Sequence, residues 1–502
     1  MTETSQHLHR VLTWKSGAFL ALTTITGVFT TVGFMIGIVG AWAVIAIWSA
    51  SMIVATAQAF LYAEMATMFP DTAGGVAAYA HEGFRKYTVF VGPIVCWGYW
   101  LGYSLVQAVI ALIFGEVVQG QWFPSQTWGV DVFSVHVGLP HILGAAALVS
   151  VYLLNVFGIR PAARLTSIGL IIFTALVTVM VVLPFLTGDW SIHQLSWNLH
   201  DWKLGLVLVY LASWTTFAVE GPSLFAPEYE RPGTDTPKAI RACAVVMLAI
   251  FTLVPFATTG TVGEEAIGAN PSGYAVDVMT KVWPGTASMV IAVLALGLWV
   301  TLIGTSAQAA RALLGISRSD LTIKQLSTLN KFGMPGRALT MDLGVNLLIL
   351  FLVGNTVAII AASNFGYILC CSLACFAFVL LRRDRPGWPR PFQLSRGWVG
   401  LALVVGTVDL VVALFGVSHP SLAGYGGLKE TVISLALLFV CIPLFLFRRV
   451  WQDRGATFQW REHTPHLPTD TEHVADQYAD LDELPVRPDL IGGLDGASVP
   501  TT

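Results

Sequence analysis

The stretch WTTFAVEGPSLFAPEYERP, from Trp214 to Pro232, sets a carboxylate inside an apolar run. Glu220 is followed at once by Gly221 and Pro222. Proline removes a backbone donor and clashes with the preceding turn, and glycine loosens that same turn. An ionisable residue at membrane depth costs about 2.5–3.5 kcal/mol on insertion scales, so it marks a functional candidate. Two kinds of chemistry are open to Glu220: reversible proton binding, or hydrogen bonding that only holds a kink. Trp214 and Phe217 precede it and offer aromatic faces for cation–π attraction. A second interrupted stretch, LALTTITGVFTTVGFMIGIVG, gathers Thr23, Thr24, Thr26, Thr30 and Thr31 around Gly27. Close helix packing is the alternative use of those residue types.

The remaining acids in apolar runs read as structural. Glu64 is expected to pair with basic loop residues, and Glu116 to lie near an outer helix end. Asp409, in VVGTVDLVVALF, is expected to anchor neighbouring helices through a hydrogen bond or to serve an oligomer contact. The cysteines Cys96, Cys243, Cys370, Cys371, Cys375 and Cys441 fall in apolar segments without histidine partners at metal-site spacing. They read as small packed thiols. No clustered nucleophile and base is present, so an enzyme is not expected, nor a metal or organic cofactor.

These residues need a membrane scaffold. The chain of 502 residues is 55% hydrophobic and only 11% charged, against about 25% charged in soluble domains. A net charge of −3 gives no reason to expect nucleic acid. Roughly 20 apolar residues cross a bilayer core as a helix. Twelve such spans are expected, over 16–40, 41–68, 89–118, 140–159, 164–187, 204–227, 238–261, 284–315, 337–354, 357–381, 397–417 and 428–448. With both termini on the cytoplasmic side, all of the 27 Lys and Arg except Lys203, Lys281 and Lys429 fall on the inner side. That asymmetry is the positive-inside pattern. Residues 1–15 form the expected cytoplasmic N-terminus. From 450 to 502 the chain turns acidic and loses large apolar residues, which predicts a disordered cytoplasmic tail.

The broken stretches lie in spans 1 and 6. These are matching positions if spans 1–5 (16–187) and 6–10 (204–381) form two halves, with spans 11 and 12 (397–448) outside them. Interruptions at matching positions of two halves point to a transporter substrate site. Freed backbone groups at mid-membrane need a substrate, ion or water as partner.

At this point the chain resembles the amino acid–polyamine–organocation (APC) transporters. The motifs that carry the likeness are AEMATMFPDTAGGVAAYAHEGF (63–84), LLNVFGIRPAARL (153–165), VEGPSLFAPEYERPGTDTPKAI (219–240), GTSAQAARALLGISRSD (304–320) and LRRDRPGWPRPF (381–392). Their order and spacing cover all spans. The resemblance implies an all-α integral membrane protein with a LeuT-type 5+5 inverted repeat, broken helices 1 and 6, and alternating access for an amino acid or amine. It is similar in motif to bacterial amino acid/amine antiporters. There a tryptophan six positions before a glutamate in helix 6 gates the substrate, and Trp214 and Glu220 match that spacing. Trp299 matches a site-shaping tryptophan in helix 8. Cys96, Trp97, Trp100 and Ser104 fall where helix 3 contacts substrate, with different identities. Many members carry a Gly-Ser/Thr-Gly break in helix 1. Here the place reads Gly27-Val28-Phe29, so Phe29 reshapes the pocket for a substrate carboxylate. The lysine that some proton-coupled members carry in helix 5 is absent here.

The expected mechanism sets a substrate between the two breaks, among Thr26, Gly27, Val28, Phe29, Trp214, Phe217 and Ala218. A carboxylate would meet N–H groups at a helix N-terminus. An ammonium would meet carbonyls of span 6, and Glu220 would couple transport to protons. Expected partners are a small-molecule substrate, protons, the lipid bilayer and a second copy in a homodimer, at the plasma membrane. Obligate amino acid/amine exchange with a structural Glu220 is the alternative. A transport-dead nutrient sensor is the third reading, and the short polar tail offers it no output domain.

Overall fold

A computed structural model of the chain describes residues 8–132, 135–271, 273–352, 356–423, 428–453 and 459–462. The first helix, α1 (Trp14–Leu22), starts where the Thr13 hydroxyl accepts from the Ser16 N–H and the Ser16 side chain answers back. It tightens into 3-10 turns over Thr23–Gly27 and resumes as α2 (Val28–Val39). Then come α3 (Ala41–Met68), α4 (Gly75–Phe84), α5 (Val91–Trp122), α6 (Leu139–Phe157), α7 (Ile159–Thr187) and α8 (Trp202–Thr216). A second 3-10 stretch, Phe217–Glu228, follows α8. The rest is α9 (Pro232–Val262), α10 (Glu264–Ala269), α11 (Tyr274–Val282), α12 (Ala287–Arg318), α13 (Gly336–Leu352), α14 (Thr356–Asp384), α15 (Gly397–Ser418), α16 (Leu428–Phe439) and α17 (Cys441–Phe447).

Among the described residues, 11 helical runs are long and apolar enough to cross a membrane. The span expected over 337–354 coincides with α13, and its last two positions lie outside the described residues. Large apolar side chains such as Ile168, Ile171, Val182 and Leu186 of α7 face outward. Water would penalise that arrangement and lipid does not. Four short pieces come in addition to the expected spans. They are α4, α10, α11 and a hairpin of β1 (Gly129–Val132) with β2 (Val135–Gly138), antiparallel, Gly129 opposite Gly138. The turn into α4 runs through Gly74 and Gly75 at φ of 106° and 59°, a backbone that favours glycine.

α3 runs along α9, and α5 packs among α6, α12 and α14. Arginines gather at one end of the bundle, hereafter the basic end. There Glu64 of α3 takes a fork from Arg382, with Nε to Oε1 at 2.8 Å and Nη2 to Oε2 at 2.5 Å. Arg382 lies in the last turn of α14; of the basic loop residues expected as partners, Arg390 comes within 3.6 Å of Oε1. Asp409 of α15 accepts from Gln58 Nε2 of α3 at 2.5 Å, an anchor between two helices as expected. All six cysteines are buried and free.

The tail departs from expectation at its start. Arg448–Gln452 continue the last helix as a π turn. Trp460 and Glu462 fold back on the chain before α5, with Val89 N–H donating to the Trp460 carbonyl at 3.1 Å and Glu462 N–H to the Arg85 carbonyl at 2.9 Å. The cause is local charge, because the Glu462 carboxylate meets both Arg85 and Arg449. Residues 1–7, 454–458 and 463–502, where the polar N-terminus and most of the acidic tail were expected, lie outside the described residues.

Candidate functional site

The second break has a plain local cause. Pro222 and Pro227 fall within Phe217–Glu228, and neither can donate a backbone hydrogen bond. The chain spirals on in tighter turns, every residue of it buried. The freed Pro222 carbonyl accepts from the Tyr229 hydroxyl at 3.2 Å. At the first break, Thr301 Oγ1 of α12 lies 2.8 Å from the Thr23 carbonyl and 2.6 Å from Thr26 Oγ1. Gly27 brings the two breaks together: a Cβ there would sit 2.7 Å from Thr215 Cγ2 at the end of α8.

Glu220 is fully buried within the second break. Three phenols donate to its carboxylate: Tyr103 to Oε1 at 2.6 Å, Tyr367 to Oε1 at 2.8 Å, and Tyr99 to Oε2. Tyr99 and Tyr103 share one face of α5 through their i, i+4 spacing. Tyr367 comes from α14, its ring stacked on Tyr99 with centroids 5.8 Å apart. Among the described residues no Lys, Arg or His pairs with Glu220. Hydrogen bonds to a charged group contribute about 1.5–3 kcal/mol each, enough to offset the cost of a carboxylate at depth. The cluster can thus hold an anion without a counterion, and its carboxyl can also gain a proton without orphaning a cation.

Further along the same stretch, Glu228 is handled differently. Arg311 of α12 reaches it with Nε to Oε1 and with Nη2 to Oε2 at 2.9 Å, both residues buried. The guanidinium lies 4.9 Å over the Phe225 ring. The Glu228 carbonyl accepts from the N–H groups of Val11 and Leu12, each at 2.9 Å. This tie joins the second break to α12 and to the segment before α1.

The expected site residues separate into groups. Trp214, Phe217 and Ala218 lie at the second break, with Trp214 Nε1 donating to the Gly102 carbonyl of α5 at 3.1 Å. Thr26, Gly27 and Val28 lie at the first. The Val28 N–H closes a turn onto the Ile25 and Thr26 carbonyls, so it is engaged here rather than open to a carboxylate. Phe29 packs on Phe173 and Tyr274, with centroids 5.9 and 5.7 Å away. The Thr30 side chain lies outside those described.

The helix-3 candidates sit elsewhere. Trp97 Nε1 donates to the Leu437 carbonyl of α16 at 3.0 Å. Trp100 Nε1 donates to Asp342 Oδ1 of α13 at 3.2 Å, and Ser104 Oγ accepts from Asn346 Nδ2 at 3.2 Å. Trp299 Nε1 donates to Ser150 Oγ of α6 at 2.9 Å. None of these four touches the carboxylate of Glu220. Three residues unmarked by the sequence reading do, namely Tyr99, Tyr103 and Tyr367. The available signal was the tyrosine pair in GYWLGYS. Asp342 was likewise unmarked. It is a buried acid in LTMDLGVNLLIL, and it also accepts from Gln107 Nε2 at 2.7 Å. Among the described residues no three His, Cys, Asp or Glu gather as metal ligands.

Comparison with known proteins adds a lineage. A family model described as amino acid permease matches residues 12–442. A polyamine transporter of Oryza sativa subsp. japonica is 24% identical over 422 residues, covering 82% of this chain and 72% of the relative. An arginine/ornithine antiporter of Latilactobacillus sakei is 24% identical over 404 residues, covering 76% and 78%. An L-lysine transport protein of Corynebacterium glutamicum is 23% identical over 460 residues, covering 85% and 86%.

Proposed function

We infer that this chain, which belongs to the amino acid permease family, moves a cationic amino acid or related amine across the plasma membrane by alternating access. The observation that carries the reading is Glu220: a buried carboxylate at a helix break, held by three phenols and by no cation among the described residues. A substrate ammonium entering between the breaks meets a negative centre that needs no ion pair broken first. The three relatives described above are named for polyamines, for arginine and ornithine, and for lysine, which favours a cationic substrate class here. Glu220 takes up a proton when the ammonium leaves, and so couples the two.

The scaffold proposed for this cycle has twelve spans in a LeuT-type 5+5 repeat, both termini cytoplasmic. The packing of α3 on α9 and of α5 on α12 supports it. These pairs join the second span to the seventh and the third to the eighth, corresponding members of the two halves. The bias of Lys and Arg toward one side supports the orientation.

Proteoliposomes test the reading. Labelled arginine, lysine and putrescine are offered to empty vesicles under an inward proton gradient, with wild-type protein and Glu220→Gln. Uptake by wild type that loses its pH dependence in the variant is expected. Absence of both uptake and exchange for every cationic amine overturns it. Uptake seen only with substrate inside identifies an obligate exchanger, a second mode that the arginine/ornithine antiporter relative favours.

A further inference from the structure

The basic end holds a cavity of about 470 Å³. It opens between α4, the end of α12 and the returning tail, and its charged lining is Arg85, Arg318, Arg449, Glu82, Asp320 and Glu462. The transport cycle proposed above has no use for it.

Two of its three carboxylates also meet arginines outside the lining. Arg385 reaches Glu82 Oε2 at 2.7 Å while Arg85 Nη1 holds its Oε1 at 2.6 Å, and Arg448 pairs with Asp320. The third, Glu462, is itself the cavity's guest. Its Oε2 takes Arg85 Nε at 3.0 Å and Nη2 at 2.6 Å, and its Oε1 takes Arg449 Nη2 at 2.5 Å. Two guanidinium groups from different elements thus converge on one small anion supplied by the tail. The fit is incomplete. Arg449 Nε is buried without an acceptor among the described residues, and His81 Nδ1 in the same lining is buried without a hydrogen-bond partner among them. A planar carboxylate has two oxygens to offer. A tetrahedral phosphate has more, and suits the fork of an arginine equally well. Close in sequence to Arg449 and Glu462, the side chains of Phe447, Val450, Trp451 and Trp460 are exposed, apolar and aromatic groups that suit a lipid boundary.

We propose that this cavity is a binding site for a phosphate-bearing anion, and that Glu462 is the built-in occupant which that anion displaces. Binding frees the Trp460–Glu462 strap from the chain before α5. The phosphate comes either from an anionic phospholipid headgroup or from a soluble phosphate.

The test uses the purified full chain in two settings, with Glu462→Gln and an Arg85→Gln/Arg449→Gln double variant beside wild type. In detergent, inorganic pyrophosphate is titrated and binding is read as a thermal shift. In nanodiscs, phosphatidylglycerol is compared with phosphatidylcholine in the absence of free phosphate. The glutamine at 462 no longer competes as an anion. The variant should therefore bind about tenfold more tightly in the responding arm, the worth of one charge-assisted hydrogen bond. The double variant should lose the response. A response confined to phosphatidylglycerol identifies the headgroup as the source, and a response to pyrophosphate identifies a soluble anion. The proposal is overturned if Glu462→Gln binds no better than wild type, if the arginine double variant still binds, or if neither arm responds. A gain of affinity is not an outcome that misfolding can mimic.

Discussion

Glu220 and Glu228 lie in one 3-10 stretch, both buried, yet their surroundings are opposite. Glu228 faces an arginine in a two-pronged pair. Glu220 is held by three phenols and, among the described residues, by no cation. A buried ion pair has one comfortable state, since removing either charge strands the other in a dry interior. A carboxyl among phenols has two, because hydroxyls can donate to an anion or accept from an acid. One segment therefore carries a fixed tie and a switchable group within a few turns of each other.

The largest effect should follow from breaking the tie. Arg311→Met leaves Glu228 buried and unpaired, at a cost of about 3–5 kcal/mol. The expected readout is a sharp loss of folded protein and of melting temperature. Pairing it with Glu228→Met should restore most of that loss, since an apolar pair of similar volume is often neutral or better. A double variant as unstable as the single would mean that the contact stabilises through packing on Phe225 rather than through charge.

Glu220→Gln should do the reverse, sparing the fold and changing function. The amide still accepts from phenols, so the melting temperature should move by the worth of about 1 kcal/mol or less. Uptake by the variant should become flat across pH. A pH profile unchanged from wild type removes Glu220 from coupling and leaves it as a holder of the kink.

A finer cut separates Glu220 from the other acid held by neutral donors, Asp342. Tyr103→Phe removes one donor to Glu220, and Trp100→Phe removes one donor to Asp342. Each loss costs about 1 kcal/mol in stability. Only the first should raise KM for the substrate amine, by roughly the tenfold that 1.4 kcal/mol represents. An equal rise from both would mean that α13 belongs to the site.

What could be read in advance follows from what leaves a local trace. Long apolar runs set the helices, and Pro222 beside Gly221 marked the second break because a missing donor acts on its own turn. The facing of α5 left no such trace. It is apolar almost all round, so no polar stripe separates the side of Tyr99 and Tyr103 from that of Trp100 and Ser104. Two neighbouring registers a residue apart are equally hydrophobic, and only packing against α13 and α14 decides between them. Asp342 was legible in principle, an acid four residues before Asn346 in an otherwise apolar helix. The fold-back of Trp460 and Glu462 was not, since it depends on arginines from α4's end and the last helix meeting in space.

That fold-back supplies the smallest test, a carboxylate of the paired kind placed in reach of water. Burial alone would raise the Glu462 pKa, but the Arg85 and Arg449 guanidiniums outweigh it and hold it below the usual 4.5. A carboxyl depressed in the folded state contributes stability above its unfolded pKa, and loses it as pH falls through the folded value. Beside it, burial pushes His81 down from 6.5 to about 4. A histidine kept neutral while the unfolded chain takes a proton costs stability as pH drops from 6.5 toward 4. The two act in the same direction, so the strap should loosen in acid and hold at neutral pH. Amide exchange at Val89 and Glu462, corrected for intrinsic rates, should show protection near pH 7 that declines from about pH 6.5 downward. Glu462→Gln should remove the protection at every pH. Persistence of the wild-type protection below pH 4 would show that the two main-chain bonds and the Trp460 contact with Phe90 hold the strap without charge.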